Sequence, residues 1–280
     1  MKLSIITINR NNASGLQKTM ASVFAQTSQE FEYIVIDGNS IDGSKELIEQ
    51  FSSLHLASSS SHPLRWISEQ DNGIYNAMNK GIRMAQGEYV QFLNSGDWLV
   101  DALVVEKMLK ELDDCDILAG NKISIRPDGK MRVEKNAEHV SLLTFYRSTI
   151  HHTSAYIRRS LFDRYGLYDE SLKIVADWKW YLMVAGLHQA KVKITNINVS
   201  YFDTTGISNT NRTLEKAERS KVLEELIPAP ILSDYDNHYF DIDQMERIKR
   251  YSLLYRLFWF IERCLFKIDK WKAKNWETPS

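Results

Sequence analysis

At 280 residues, 44% of them hydrophobic and 25% charged, the chain can hold one large domain, or a domain with an appendage, around a sizeable core. The formal net charge of −1 argues against a general nucleic-acid binder, but the charge is unevenly spread: nine Lys/Arg against four Asp/Glu give residues 245–280 a local +5 and leave −6 for the remainder. Cys115 and Cys264 stand far apart and in no metal spacing, which speaks against a disulfide framework and fits a reducing cytoplasm.

The first apolar run is too short for a signal peptide and meets Asn9-Arg10-Asn11-Asn12 at once, so residues 3–8 read as a strand covered on both faces. Helical spacing of Leu16, Met20, Val23 and Phe24 follows over 14–26. A strand at 32–36 leads to a helix over 42–51, with Asp42 and Ser44 as caps, and the serine-rich stretch 55–62 reads as a solvated loop. Strand 64–68, helix 73–85, strand 89–93, helix 101–112 and strand 116–119 continue the alternation. Five alternations with short connections predict an α/β fold with a mostly parallel, doubly wound sheet. After residue 120 the pattern changes. Two short strands, 122–125 and 130–133, flank the turn Pro127-Asp128-Gly129, then come strand 154–158, helices at 160–165 and 176–186, and strands at 191–194 and 196–202. A helix over 211–226 ends before Pro228 and Pro230. Residues 251–268 form a basic, aromatic amphipathic segment whose charges, among them Arg256, Glu262, Arg263 and Lys267, interrupt every apolar run well short of the roughly 18 residues a membrane span needs.

Two strands deliver carboxylates into turns: 33–36 ends on Asp37-Gly38-Asn39-Ser40, and 89–93 ends on Asn94-Ser95-Gly96-Asp97. In an open α/β sheet ligands sit beyond the carboxyl ends of the strands, so both acids are expected to face one crevice, an arrangement suited to a divalent metal and a phosphate-bearing ligand. Asp37 ends an otherwise apolar strand, where a buried carboxylate without a partner is costly.

Four windows, 4–9, 35–43, 71–81 and 87–97, stand in the order and spacing that resemble family 2 glycosyltransferases of the GT-A fold, especially those of bacterial exopolysaccharide and lipopolysaccharide synthesis; the resemblance covers roughly residues 1–210. It implies a GT-A domain in which Thr7, Asn9, Asp37 and Asp71 hold the nucleoside and Asp97 carries Mg2+ or Mn2+ on the donor diphosphate. Where many members have Asp-Ser-Asp-Asp, this chain has Asn94-Ser95-Gly96-Asp97, so a ribose partner is lost and metal binding is weakened. The family's acidic pair before an aromatic helix is reduced here to Ala176-Asp177. The resemblance makes Asp177 the general base, a role a carboxylate can fill by taking the proton of an attacking hydroxyl. His151 and His152 are expected to point to opposite faces of a strand, one lining the acceptor pocket. Trp178 and Asn94 are further candidates for the donor or acceptor pocket, and 202–208 resembles a loop that closes over the donor.

These expectations amount to a GT-A domain over residues 1–210 with a helical extension over 211–280 that meets an anionic membrane surface, the domain body or a second subunit. The implied reaction is inverting transfer from a UDP-sugar to a saccharide or lipid-linked acceptor. Two alternatives stand beside it: a catalytically degenerate relative acting as a binding or membrane-associated scaffold, and a sugar nucleotidyltransferase. The latter fits poorly, because such enzymes place a Gly-rich basic loop where this chain has Asn9-Arg10-Asn11-Asn12.

Overall fold

The computed structural model describes residues 1–57, 64–204, 206 and 210–275. The chain divides into two compact units, Met1–Leu226 and Ile227–Ser280. In the first, β1 (Leu3–Asn9), β2 (Phe31–Asp37), β3 (Leu64–Ser68) and β4 (Tyr89–Phe92) run parallel in the order β3-β2-β1-β4. Every residue of β1, β2 and β4 is buried, which is why they read as largely apolar runs, and the polar residues among them are paired: Ser4 with Glu32, Thr7 with the Leu93 carbonyl and Gln91 with the Thr153 carbonyl. Their side chains alternate between two cores. Leu3, Ile5, Tyr33 and Val35 share one with Leu16, Met20 and Val23 of α1 (Ala13–Phe24) and Ile48 of α2 (Ser44–Ala57). Ile6, Ile8, Ile34 and Ile36 share the other with Tyr75, Met78 and Ile82 of α3 (Ile74–Met84). Helix α2 outruns its predicted end at residue 51 and takes in the start of the expected serine-rich loop; residues 58–63 of that stretch lie outside the described residues.

Beyond β4 the polarity mixes. A two-residue strand β5 (Trp98–Leu99), unforeseen in the sequence, precedes α4 (Val104–Glu111), and the sheet continues through β6 (Ile117–Ile125), β7 (Met131–Glu134), β8 (Ala155–Arg158) and β9 (Val192–Asp203) in the order β4-β8-β6-β9-β5, with β7 on β6. Strand β8 is antiparallel to β4 and β6, while β9 is parallel to β6. The strands predicted separately at 116–119 and 122–125 are one strand with a bulge between Ala119 and Lys122. Gly120 permits it: a Cβ there would stand 2.5 Å from Val199 Cγ2 and 2.6 Å from the Ile197 carbonyl oxygen. The pair predicted at 191–194 and 196–202 is likewise the single strand β9. Between these strands lie α5 (Leu142–Arg147), α6 (Ser160–Tyr165) and α7 (Ala176–Tyr181), the last widening into a π-helical turn, Leu182–Leu187.

Helix α8 (Arg212–Leu226) lies in the first unit, with Glu218 and Val222 buried, so the boundary expected near residue 210 falls inside that unit. The second unit contains α9 (Ala229–Lys249) and α10 (Ser252–Asn275). Pro228 caps α9 and Pro230 sits in its first turn, where a missing N–H is tolerated. No described helix is long and apolar enough to cross a membrane.

Candidate active site

A cavity of about 730 Å3 opens beyond the carboxyl ends of β1 and β4. Asn9, Asp71, Asn94, Asp97, His151, His152, Asp177 and Trp178 all line it, so residues more than a hundred positions apart in sequence converge. Among the described residues Thr7 and Asp37 are not part of its wall.

Thr7 is fully buried; its hydroxyl donates to the Leu93 carbonyl at 2.7 Å and accepts from the Tyr33 hydroxyl at 2.9 Å, tying β1 to β2 and β4. Asp37 lies opposite Asn9 in the β1–β2 register. Its carboxylate accepts from Asn9 Nδ2 at 2.8 Å, from the Ser40 hydroxyl at 2.6 Å and amide at 3.0 Å, and from the Ser68 hydroxyl at 2.7 Å. Burial alone would push the carboxyl up, but these bonds outweigh it and hold Asp37 below the usual carboxylate range. The partner that a buried Asp demands is thus the turn it begins. Asn9 lines the cavity; its Nδ2 is fixed by Asp37, while its buried Oδ1 has no partner. Asp71 completes this end, paired with Lys80 at 2.6 Å, and Lys80 also reaches Glu69 at 2.8 Å.

Asp97 stands on a turn fixed by Thr19, whose hydroxyl donates to the Asp97 carbonyl at 2.7 Å and accepts from the Gly96 amide at 3.0 Å. Gly96 has φ of 103°, a left-handed conformation that a side chain would strain, so glycine in place of the family's acid shapes this turn. The carboxylate accepts the Asp203 amide at 3.0 Å. Burial pushes its pKa up to about 7, against the opposing pull of that amide, His152 and Lys122. A buried acid held near neutrality is one that a cation would readily ionise. Among the described residues no cluster of three His, Cys, Asp or Glu side chains could hold a metal by itself. The donor set therefore fits a divalent ion carried by Asp97 together with substrate phosphates, the arrangement usual for Mg2+, rather than an all-protein cage.

His151 and His152 open a 3-10 turn, His152–Ser154, instead of lying in a strand, and both reach the cavity. Burial, with Lys122 nearby, pulls the His151 pKa down to about 3, so it is neutral at ordinary pH. His152 Nδ1 lies 3.0 Å from Asp177 Oδ2, and its Nε2 lies 3.5 Å from Asn94 Nδ2. The other Asp177 oxygen lies 2.9 Å from the Tyr75 hydroxyl, whose single hydrogen it shares with the Ile174 carbonyl. Burial raises the Asp177 carboxyl, but His152, Tyr75 and the Trp178 amide outweigh it and keep the group below its ordinary range. Trp178 turns little of its ring to solvent: Nε1 donates to the Phe145 carbonyl at 2.9 Å and the Arg219 guanidinium lies 4.4 Å over the ring.

Sequence reasoning missed Tyr75, Lys122, Glu218 and Arg219. Glu218 of α8 accepts the amides of Lys173, Ile174 and Val175 at 2.7, 2.9 and 3.3 Å, so a carboxylate from another helix fixes the approach to α7 and to Asp177. Tyr75 also donates to the Ile174 carbonyl, clamping the same loop from α3. Glu218 and Arg219 carry no motif, and the packing of α8 within the first unit reveals them; Tyr75 lies inside the 71–81 window but its link to Asp177 comes from the fold. The loop expected to close over the donor is described at Phe202–Thr204 and Gly206, which line the cavity; residues 205 and 207–209 lie outside the described residues.

Residues 4–166 match the model of glycosyl transferase family 2. The chain belongs to this family. The glycosyltransferase is 32% identical over 213 residues to an uncharacterized glycosyltransferase of Mycobacterium tuberculosis, covering 74% of this chain and 77% of the relative. It is 26% identical over 215 residues to a PGL/p-HBAD biosynthesis glycosyltransferase of the same organism, covering 74% of this chain and 79% of that one. Staphylococcus aureus TarS 1–349 in complex with UDP-GlcNAc superimposes with a TM-score of 0.62 at 17% identity, covering 91% of this chain and 80% of TarS 1–349. The mannosyltransferase PcManGT from Pyrobaculum calidifontis, in complex with GDP-Man and Mn2+, gives 0.60 at 14% identity, covering 78% and 61%. The fold is GT-A, as the four sequence windows implied.

Proposed function

We propose that this glycosyltransferase moves a sugar, with inversion, from a UDP-sugar to a saccharide or lipid-linked acceptor in cell-surface glycan synthesis. The carrying observation is that Asp97 and Asp177, separated by β6 to α7 in sequence, line one cavity beside the unpartnered acceptors Asn9 Oδ1 and Asn94 Oδ1. Buried acceptors without donors suit the N–H and hydroxyl groups of a nucleoside and its sugars. In this reading Asn9 and Asp71 face the nucleoside while Thr7 and Asp37 brace that end from behind. Asp97 would hold Mg2+ or Mn2+, which when bound neutralises charge on the leaving diphosphate. On the acceptor side the base is the pair Asp177–His152, whose side chains meet at 3.0 Å. TarS and PcManGT were captured with UDP-GlcNAc and with GDP-Man and Mn2+, respectively, which supports a nucleotide-sugar donor and a divalent ion. Thermal shift with UDP, GDP and their sugars, with and without Mn2+, tests the reading. A rise of several degrees specific to one nucleotide and larger with Mn2+ is expected, and no shift with any of them would refute it.

The tail supports attachment to an anionic membrane surface. On α10, Arg256, Arg263, Lys267 and Lys270 fall along one line of the helix, beside a face that exposes Leu253, Leu257, Phe260, Ile261, Leu265, Ile268 and Trp271. A basic stripe bordering an apolar face is the pattern of an interfacial helix, and it would bring the enzyme to lipid-linked acceptors. Sedimentation of the full chain with phosphatidylglycerol-containing vesicles, but not with pure phosphatidylcholine vesicles, is the expected result; equal binding to neither would remove the membrane from the reading.

A further inference from the structure

We propose that His152 is the catalytic residue that takes the acceptor proton, at Nε2, and that Asp177 acts through it as the residue that fixes its tautomer and offsets its charge. This rests on the transfer reading above and deepens it. Three observations carry it. Asp177 Oδ2 stands 3.0 Å from His152 Nδ1, and an ionised carboxylate only accepts, so Nδ1 carries the hydrogen and Nε2 is left with its lone pair. Nε2, the ring nitrogen not engaged by Asp177, lies 3.5 Å from the Asn94 amide, and both residues line the cavity. Both oxygens of Asp177 are already engaged, by Tyr75 and by His152, in a carboxylate whose side chain is only 14% exposed.

The chemistry follows from that arrangement. A carboxylate kept below its ordinary range by three donors is a weak base toward a hydroxyl, whereas an imidazole is well matched to proton transfer near neutrality. As the acceptor oxygen forms its bond to the anomeric carbon of the nucleotide-diphosphate sugar, its proton passes to His152 Nε2. The bond from that carbon to the diphosphate oxygen breaks, and the electron pair leaves with the diphosphate. The imidazolium formed is stabilised by Asp177, then loses its proton to water. Asp177 need not be protonated at any stage. The titratable groups around the ring are Asp177 and Tyr75 on one side, Asp97 across the cavity, and His151 next in the chain. Ala176, where the family has an acid, agrees with a site in which the second member of the pair is an imidazole.

The test begins with nucleotide release by the full chain from UDP-GlcNAc and a panel of other UDP- and GDP-sugars, with Mn2+ present. Release by the wild type establishes transfer or hydrolysis; no release from any donor sinks the transfer reading itself. With a turned-over donor, H152Q and D177N are each expected to lower kcat by about 10²- to 10⁴-fold with little change in donor KM, and the double variant to be no worse than the poorer single one. If H152Q keeps activity within about threefold while D177N is inactive, Asp177 takes the proton directly and the proposal is wrong. A readout independent of activity is the 15N NMR spectrum of the His152 ring in the folded wild type: a protonated Nδ1 with a bare Nε2 is expected, and the opposite tautomer overturns the proposal even if the variants fail to fold.

Discussion

Two acids that end or follow apolar strands have opposite fates in this molecule. Asp37, at the β1–β2 end, is closed in by Asn9, Ser40 and Ser68 and held below its usual range. Asp97, after β4, has one backbone donor and is pushed up to about 7. The same residue type is architecture at the end of β2 and an available charge in the turn that follows β4. What differs is the number of donors its turn can supply: Ser40 and Ser68 surround Asp37, whereas Gly96 and the Asn94–Asp97 turn leave Asp97 facing the cavity with Asp177 and His152. Ionisable groups with unfilled demands are where function concentrates.

The largest effect expected from this contrast lies at Asp177. Asp177→Asn lowers transfer by about 10²- to 10⁴-fold while UDP binding and the unfolding midpoint stay nearly unchanged; activity close to wild type would erase the distinction between the two ends. Asp37→Ala is the mirror experiment. Removing the centre of four buried hydrogen bonds costs about 3 kcal/mol in urea unfolding, and nucleotide affinity falls only as far as the fold does. A selective loss of UDP affinity with unchanged stability would instead put Asp37 against the nucleoside.

The two acids also predict opposite pH dependences. Asp37 is depressed in the folded state, so its contribution is present above the unfolded carboxylate range and is lost as pH falls into the acid region. Asp97 is raised, so without added cation its effect is favourable at low pH and is lost as pH rises from about 4 through about 7. Asp97→Asn therefore raises the melting temperature at pH 8 by several degrees and abolishes any further rise with Mn2+. A lower melting temperature at pH 8 would show that Asp97 is already satisfied as an anion. The smallest effect belongs to Thr7→Val, which strands the Tyr33 hydroxyl and should cost about 1 kcal/mol of stability with donor KM unchanged.

Much of the first half was legible because its physics is local. A strand buried on both faces is largely apolar and a helix on the sheet repeats its apolar face, and the elements predicted over residues 1–120 follow these two rules. The second half was harder. Strands β6 and β9 were each split in two because their register shifts between Ala119–Lys122 and Ile194–Ser200, which breaks the period-2 pattern without ending either strand. Asp71, Asp97 and Asp177 were found because the resemblance supplied positions for them, and their convergence on one cavity came from the fold. The roles of Tyr75, Glu218 and Arg219 consist of hydrogen bonds and stacking across 41 to 102 positions of sequence, which no local pattern reports.

The sequence by itself determined the alternation of strands and helices, the family, and which carboxylates stand at strand and helix ends, because hydrophobic periodicity and turn chemistry act between neighbours in the chain. Tertiary structure alone decided which of those carboxylates is spent on its own turn, which faces the cavity, and which histidine meets Asp177. Those outcomes depend on the donors and the burial that distant segments bring to each oxygen, and no spacing along one chain encodes them.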